Sequence, residues 1–385
     1  MLLTPEGMPM SRRLEDARIL MYSHDTFGLG HLRRCRAIAH ALVEDYRGLN
    51  ILIISGATIA GAFDYRARVD FVKIPSVIKL RNGEYTSLAS HIDLHETLKM
   101  RESSIRHTAE TFQPDIFIVD KEPMGLKGEV EDTLAYLKAR GTVLVLGLRE
   151  IMDAPHLLEA EWKKNSIMQK IDQYYDSVWV YGPPDFYDPL IGLDVPPSLR
   201  RKMDFVGFLQ RSVSRGKTSI NARKDNYILV TTGGGGGEEL AKLKALASEL
   251  GISGRIVWKG AMAQEDVLDH YRRADLFALA CRIAANGDRD GLPNVLVEAS
   301  SQRLVCVSTE VSGVPELLKN GENGLVVPPE DPALLARALE AAIRDPALRK
   351  RLGDAAENQV REHFDYHSSI RQLTGLFEAE WQKAS

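Results

Sequence analysis

Between an apolar run at Ile19–Tyr22 and an amphipathic stretch lies His24-Asp25-Thr26-Phe27-Gly28-Leu29-Gly30-His31-Leu32-Arg33-Arg34. Glycines at a strand-to-helix junction let the backbone approach an anion, and the helix N-terminus offers free N–H groups with partial positive charge. Gly28 and Gly30 are the candidates for that contact. A dinucleotide fingerprint would need a third glycine where Arg33 stands and an acid ending the second strand, where the chain has Ser55. The nicotinamide reading therefore fails on both counts, and no cofactor is expected. At a helix start the dipole disfavours imidazolium, which makes His31 a neutral proton acceptor near pH 7. A structural histidine bonded to the loop backbone is the equal alternative.

Three more segments could do chemistry. Thr231-Thr232 leads into five consecutive glycines, Gly233 to Gly237, before a helical pattern. Such a run is entropically costly unless backbone must come close to something, so a phosphate cradle at Gly234 and Gly235 is favoured over a flexible linker. In Asp288-Arg289-Asp290-Gly291-Leu292-Pro293-Asn294-Val295-Leu296-Val297-Glu298-Ala299, Pro293 suits a first helical turn. Asp290 then lies in the entry loop and Glu298 inside the helix, where two acids could hold sugar and ribose hydroxyls. An N-cap aspartate and a solvated helical glutamate are the simpler account of the same spacing. Finally, Ser308 to Glu316 ends a strand in small residues that open a helix, an anion site or a plain turn.

These segments need elements to hold them. Apolar runs at 19–22, 51–54, 71–74, 116–119, 143–146 and 178–181 alternate with helical patterns, the first over 31–45. That alternation predicts a parallel sheet with helices on both faces. A polar, basic stretch at 204–226, with Arg211, Arg215, Lys217, Arg223 and Lys224, reads as the connection between domains. A second series of strands follows at 227–231, 256–258, 276–279, 305–308 and 325–327, with helices near 238–250, 264–273, 293–301 and 313–319. Two Asp-Pro-Ala-Leu starts, at Asp331 and Asp345, each offer an N-cap aspartate followed by a first-turn proline, and a last helix covers 366–382. The expected fold is α/β, with two Rossmann-like domains, 1–205 and 206–385, facing each other across a cleft. Asp120, Glu122, Arg149 and Glu150 fall at C-terminal strand ends, which line the ligand crevice of open α/β sheets. They are candidates for an acceptor side, with ordinary surface loops as the competing reading.

Composition narrows the classes. With 44% hydrophobic and 26% charged residues the chain is not disordered, and a net charge of −4 gives no global basic field for nucleic acid. Three cysteines without a CxxC pair argue against a disulfide framework or structural zinc and fit a reducing cytoplasm. No metal site is expected. No run approaches the ~20 apolar residues of a membrane span, although peripheral contact with a membrane surface stays open.

Together these motifs resemble the GT-B glycosyltransferases. Residues 18–237, with FGLGHLRRCRAIA, LGLREIMDAP and LVTTGGGG, are similar to bacterial predicted glycosyltransferases akin to the peptidoglycan N-acetylglucosaminyltransferase, and GLGHLRRC also to the UDP-sugar hydrolase of pseudaminic acid synthesis. Residues 238–375, with DRDGLPNVLVEA and VSGVPELLKNGENGLVVPPEDP, resemble the family-four retaining glycosyltransferases of exopolysaccharide and colanic-acid type. The resemblance implies a UDP-sugar donor and a hydroxyl acceptor on a glycan or lipid-linked carrier. Glu298 would bind ribose hydroxyls; Asp290, with Gly291 and Leu292, would contact the donor sugar; Gly28, Gly30 and His31 would face the diphosphate or the reacting centre. The second half implies retention and the first implies inversion with His31 as base; retention is preferred. The chain departs from family four where five glycines lead straight to EELAKLKALASELG, without the strand, arginine–lysine loop and helix that open that family's second domain. Lys259 and Arg282, or Arg211, Arg215 and Lys217, would have to supply that charge. A nucleotide-sugar hydrolase and a catalytically impaired nucleotide-sugar-binding protein are the alternatives.

Overall fold

The computed structural model describes residues 17–24, 30–58, 60–62, 65–80, 84–89, 91–152, 155–209, 228–231, 238–260, 262, 264–284, 289–364 and 366–384. Gly28, Gly234, Gly235 and the basic residues of 211–224 lie outside them. The chain divides into two compact units: residues 1–211 with 283–291 and 364–385, and residues 212–282 with 292–363.

The first unit runs β1 (Arg18–Ser23), α1 (Gly30–Asp45), β2 (Asn50–Ser55), β3 (Val69–Lys73), β4 (Val77–Lys79), β5 (Tyr85–Ser87), α2 (Leu94–Phe112) and β6 (Ile116–Asp120). It continues through α3 (Glu131–Ala139), β7 (Val143–Arg149), α4 (Pro155–Lys164), α5 (Ile167–Tyr174), β8 (Ser177–Tyr181), α6 (Pro197–Arg200) and β9 (Met203–Phe205). Seven strands form one parallel sheet in the order β3-β2-β1-β6-β7-β8-β9. All five residues of both β6 and β8 are buried, as strands with both faces covered must be, which is why they read as unbroken apolar runs. One core cluster, with Leu32, Ile38 and Phe377, packs on one face, and another, with Ile105, Leu134 and Ile171, on the other.

Two features were not expected. The start of the presumed connection at 204 is in fact edge strand β9, paired with β8 from Val178↔Met203 to Val180↔Phe205. β4 and β5 make a separate antiparallel hairpin. Both are three-residue strands, too short to show a pattern.

The second unit runs β10 (Ile228–Thr231), α7 (Glu238–Glu249), β11 (Ile256–Gly260), α8 (Gln264–Arg273), β12 (Leu276–Leu279), α9 (Asn294–Ser301), β13 (Val305–Thr309), α10 (Val314–Leu317), β14 (Leu325–Val327), α11 (Pro332–Arg344) and α12 (Pro346–His363). The two Asp-Pro starts cap as their chemistry requires: Asp331 accepts from Leu334 N and Asp345 from Leu348 N, both at 2.9 Å. The five strands lie in two parallel sheets, β10-β11 and β12-β13-β14. Among the described residues nothing pairs with the second edge of β10 or of β12. The last helix, α13 (Tyr366–Ala384), clusters with the first unit, where Phe377 lies 5.4 Å from Tyr46 and Glu378 accepts from the Tyr46 hydroxyl at 2.9 Å. No described helix is long and apolar enough to cross a membrane.

Candidate active site

The chain order of the first sheet reverses at β1, which lies between β2 and β6. Crevices for ligands form outside the carboxyl ends of strands at such a switch point. β1 ends at Ser23 and β6 at Asp120, in a register that pairs Tyr22 with Val119; β7 continues it with Asp120↔Gly147 and β8 with Arg149↔Tyr181. Four neighbouring strand ends therefore deliver His24, Asp120, Arg149 and Tyr181 to one edge, and α1 adds His31 and Arg34 from its first turns.

The centre is a pair. His31 Nδ1 stands 2.5 Å from Asp120 Oδ2, with Asp120 only 1% exposed. Arg34, one turn on along α1, donates from Nη1 to Asp120 Oδ1 at 3.1 Å. Burial opposes ionisation of Asp120, but the Arg34 guanidinium and then His31 outweigh it and hold its carboxyl at about 2. An ionised carboxylate only accepts, so the proton between them belongs to His31 Nδ1, and Nε2 carries the lone pair. Burial lowers His31 from the ordinary histidine value, against the pull of Asp120. The ring is accordingly neutral at pH 7. The described partner of His31 is thus a carboxylate on a strand 89 residues away.

The surroundings are charged and mostly buried. The His24 ring meets His31 edge-on, 6.0 Å between centroids, and burial drives its titration down to about 3. Lys121, with φ 69°, turns the chain out of β6 and donates its N–H to Gly147 O at 2.7 Å. Its ammonium lies 3.4 Å from Glu122 Oε1. Burial pushes the Glu122 carboxyl up, but Lys121 and His24 outweigh it and keep it below the usual range. Glu150 is 4% exposed, packed against Gly182, where a Cβ would come within 2.7 Å of its own Cβ. Gly291 presses on the same segment: a Cβ there would stand 2.9 Å from Arg149 Nη2 and 3.5 Å from Glu150 Oε1. Thus Asp120, Glu122, Arg149, Glu150 and His31 gather in the first unit, with Gly291 against two of them. Gly30 has open space where a side chain would be.

The remaining candidates are placed singly. Asp290 is exposed and does not cap α9, whose N-cap is Pro293 with no side-chain bond. The aspartate-cap reading of that motif is therefore wrong, and Pro293 precedes the helix rather than opening it. Leu292 is buried at 4%. Glu298, half-buried in α9, helps burial raise the Tyr271 hydroxyl. Lys259, near the end of β11, and Arg282, beyond β12, are both exposed. Among the described residues no group of three or more His, Cys, Asp or Glu could hold a metal ion. Arg34 and Tyr181 were not singled out from the sequence. The i, i+3 spacing of His31 and Arg34 on one helix face was the available signal for the first.

Residues 217–359 match the family "Glycosyl transferases group 1". Among curated proteins, the amylovoran biosynthesis glycosyltransferase AmsK of Erwinia amylovora is 32% identical over 142 residues, covering 37% of this chain and 35% of that protein. The lipopolysaccharide core biosynthesis glycosyltransferase LpsE of Rhizobium meliloti is 35% identical over 172 residues, covering 45% and 48%. The chain thus spans about a third to a half of the length of these relatives. Among solved structures, Anabaena HepE in complex with UDP-glucose superposes with a TM-score of 0.68 at 14% identity over 94% of this chain and 99% of that one. A Rickettsia africae glycosyltransferase gives 0.64 at 13% identity, covering 95% and 98%. The chain therefore carries a Glycosyl transferases group 1 domain over residues 217–359, and its fold is that of the GT-B glycosyltransferases.

Proposed function

We propose that this chain is a cytoplasmic glycosyltransferase that moves a hexosyl group from a UDP-sugar to a hydroxyl acceptor in exopolysaccharide or cell-envelope glycan synthesis. The observation that carries the reading is the His31–Asp120 pair at the switch point of the first sheet. A buried ionised carboxylate that fixes a neutral imidazole is built to take a proton from a hydroxyl. The acceptor O–H gives its proton to His31 Nε2 as its oxygen bonds to the anomeric carbon. The bond from that carbon to the nucleotide diphosphate breaks, and the diphosphate leaves with the electron pair. Glu122, Arg149 and Glu150 are assigned to acceptor hydroxyls, on a glycan or a lipid-linked carrier. Asp290, Gly291, Leu292 and Glu298 are assigned to the donor, with Lys259, Arg282 and the glycines at 28, 30, 234 and 235 on its diphosphate. Support for the donor class comes from HepE, which is solved with UDP-glucose, and for the pathway from AmsK and LpsE.

A proton acceptor of this kind serves direct displacement, which inverts the anomeric centre. Retention, preferred from the second half of the chain, is supported by relatives named for alpha-(1-6) transfer from GDP-mannose. The test is incubation with UDP-, GDP- and ADP-sugars and a glycan acceptor panel, reading nucleotide release and product anomer by NMR. Transfer from a UDP-sugar with inversion, lost in His31→Gln, is the expected result. Retention with His31→Gln still active would remove the base role, and no release from any nucleotide sugar would overturn the reading itself.

A further inference from the structure

Behind the His31–Asp120 pair stands a stack of side chains that ends on a bare strand position. Gly147 in β7 has no side chain, and the Tyr181 ring of β8 occupies the space a Cβ would take. Arg34 lies over that ring, 4.9 Å from guanidinium carbon to centroid. From there it reaches Asp120 Oδ1, while Oδ2 faces His31. We infer that Arg34, seated on Tyr181, is the positioning residue of this site: it holds the Asp120 carboxylate so that Oδ2 is committed to the His31 Nδ1–H, leaving Nε2 as the proton acceptor. The inference rests on the base role proposed for His31.

Two observations say the stack is not mere packing. The Tyr181 hydroxyl is buried without a hydrogen bond among the described residues, at 2% exposure for the whole side chain. A phenylalanine would fill the same core without that unsatisfied group. The face of the Tyr181 ring carries the Arg34 guanidinium, the seat that an aromatic face offers a cation. Secondly, a lysine in place of Arg34 would reach Asp120 as a point charge, whereas the planar fork can lie flat on the ring and donate in plane to the carboxylate.

The electrostatics follow the same geometry. Among the described residues the groups facing His31 are His24 after β1, Arg34 on α1, Asp120 at the end of β6, and Lys121 and Glu122 just after it. Glu150 after β7 and Tyr181 on β8 act on Arg34. Asp120 alone would make His31 more basic; Arg34 offsets part of that attraction. With burial lowering the imidazole first and Arg34 adding to it, His31 is held in one tautomer without becoming a cation at neutral pH.

The test is NMR of the imidazole nitrogens of His31 in the free protein, as a function of pH, in wild type, Arg34→Gln and Arg34→Lys. In Arg34→Gln the titration should move to higher pH and the Nδ1–H tautomer should lose its dominance. With substrates, kcat should fall about 10-fold or more, with KM for the donor little changed. Arg34→Lys should restore the titration but only part of kcat. If Arg34→Gln does not fold, Tyr181→Leu carries the test, because it removes the seat and leaves the charge. An unchanged tautomer there, or an unchanged titration in folded Arg34→Gln, overturns the positioning role. Unimpaired transfer by His31→Gln would overturn the base reading instead, so the two failures are distinguishable.

Discussion

The Tyr181 ring lies so close to Gly147 that a Cβ on that glycine would overlap the phenol oxygen. The relationship joins two neighbouring strands, β7 and β8, directly behind the candidate base. It makes Gly147 a position where the smallest addition is felt.

Gly147→Ala should therefore destabilise the first unit by roughly 1–3 kcal/mol, the usual cost of forcing a methyl into a packed core. Urea unfolding followed by tryptophan fluorescence would measure it, because Trp179 is fully buried in β8. A midpoint equal to wild type would mean that the ring moves aside freely, and the stack over Asp120 would then be soft.

Asp120→Asn removes the charge that His31 Nδ1 faces and offers it an amide. Loss of the carboxylate lets burial and Arg34 dominate, so His31 should titrate lower still. Its preference for the Nδ1–H tautomer should weaken. The turnover rate should drop by about 10²–10⁴, the range seen when a base loses its orienting carboxylate. Steady-state kinetics at saturating donor would check this. A rate within threefold of wild type would show that proton removal does not pass through this pair.

Acid sensitivity should begin earlier than the carboxylates alone would give. His24 titrates near 3 in the folded chain because burial disfavours its cation, against about 6.5 when unfolded. Its folded pKa is depressed, so the unfolded state binds the proton first. Stability is then full above pH 6.5 and falls on acidification towards 3, by up to about 1.4 kcal/mol per pH unit. Asp120, held at about 2, adds a second loss of roughly 2 kcal/mol between about pH 4 and 2. In His24→Asn the upper slope should shrink to the part that His31, also lowered by burial, contributes, and the lower one should remain. Thermal melts from pH 7 to about 2 would show it, and parallel curves for the two proteins would refute it.

A third buried network should respond more sharply. Glu129 takes Arg101 Nε and Nη2 at 2.6 Å and the Tyr22 hydroxyl at 2.5 Å, with Arg101 fully buried and bonded also to Pro75 O. Glu129→Gln leaves that guanidinium without its counter-charge and should cost about 3–5 kcal/mol. A loss below 1 kcal/mol by chemical denaturation would show that water reaches Arg101.

What was legible follows from these contacts. Strands such as 116–119 and 178–181 announce themselves because burial on both faces demands unbroken apolar runs. The caps at Asp331 and Asp345 do so because their chemistry is local. The three-residue β9 has no such run, and its polar continuation made it read as a connection. His31 was read at a helix start and Asp120 at a strand end, but their pairing spans 89 residues and depends on β6 lying beside β1. Nothing local marks Glu129 as the partner of Arg101, or Gly147 as the space for Tyr181. Equally, five strands of the second unit could be read one by one, but not their division into two sheets.

That division sets the last prediction. β11 and β12 contain no fully buried residue, whereas every residue of β6 is buried. β10 and β12 each keep an edge unpaired among the described residues. On α7, Leu243 and Leu246 are both 49% exposed, and Leu250 just past its end is 61% exposed. Local stability tracks buried contacts and covered hydrogen bonds. Amides of β10, β11 and β12 should accordingly exchange with solvent well before those of β1, β6 and β7. Leu243→Lys with Leu246→Lys should change stability by no more than about 0.5 kcal/mol, as surface substitutions do. Hydrogen exchange read by mass spectrometry, with a urea titration of the double variant, would test both. Equal protection of the two units, together with a loss above about 2 kcal/mol in the double variant, would mean that something covers this face in solution.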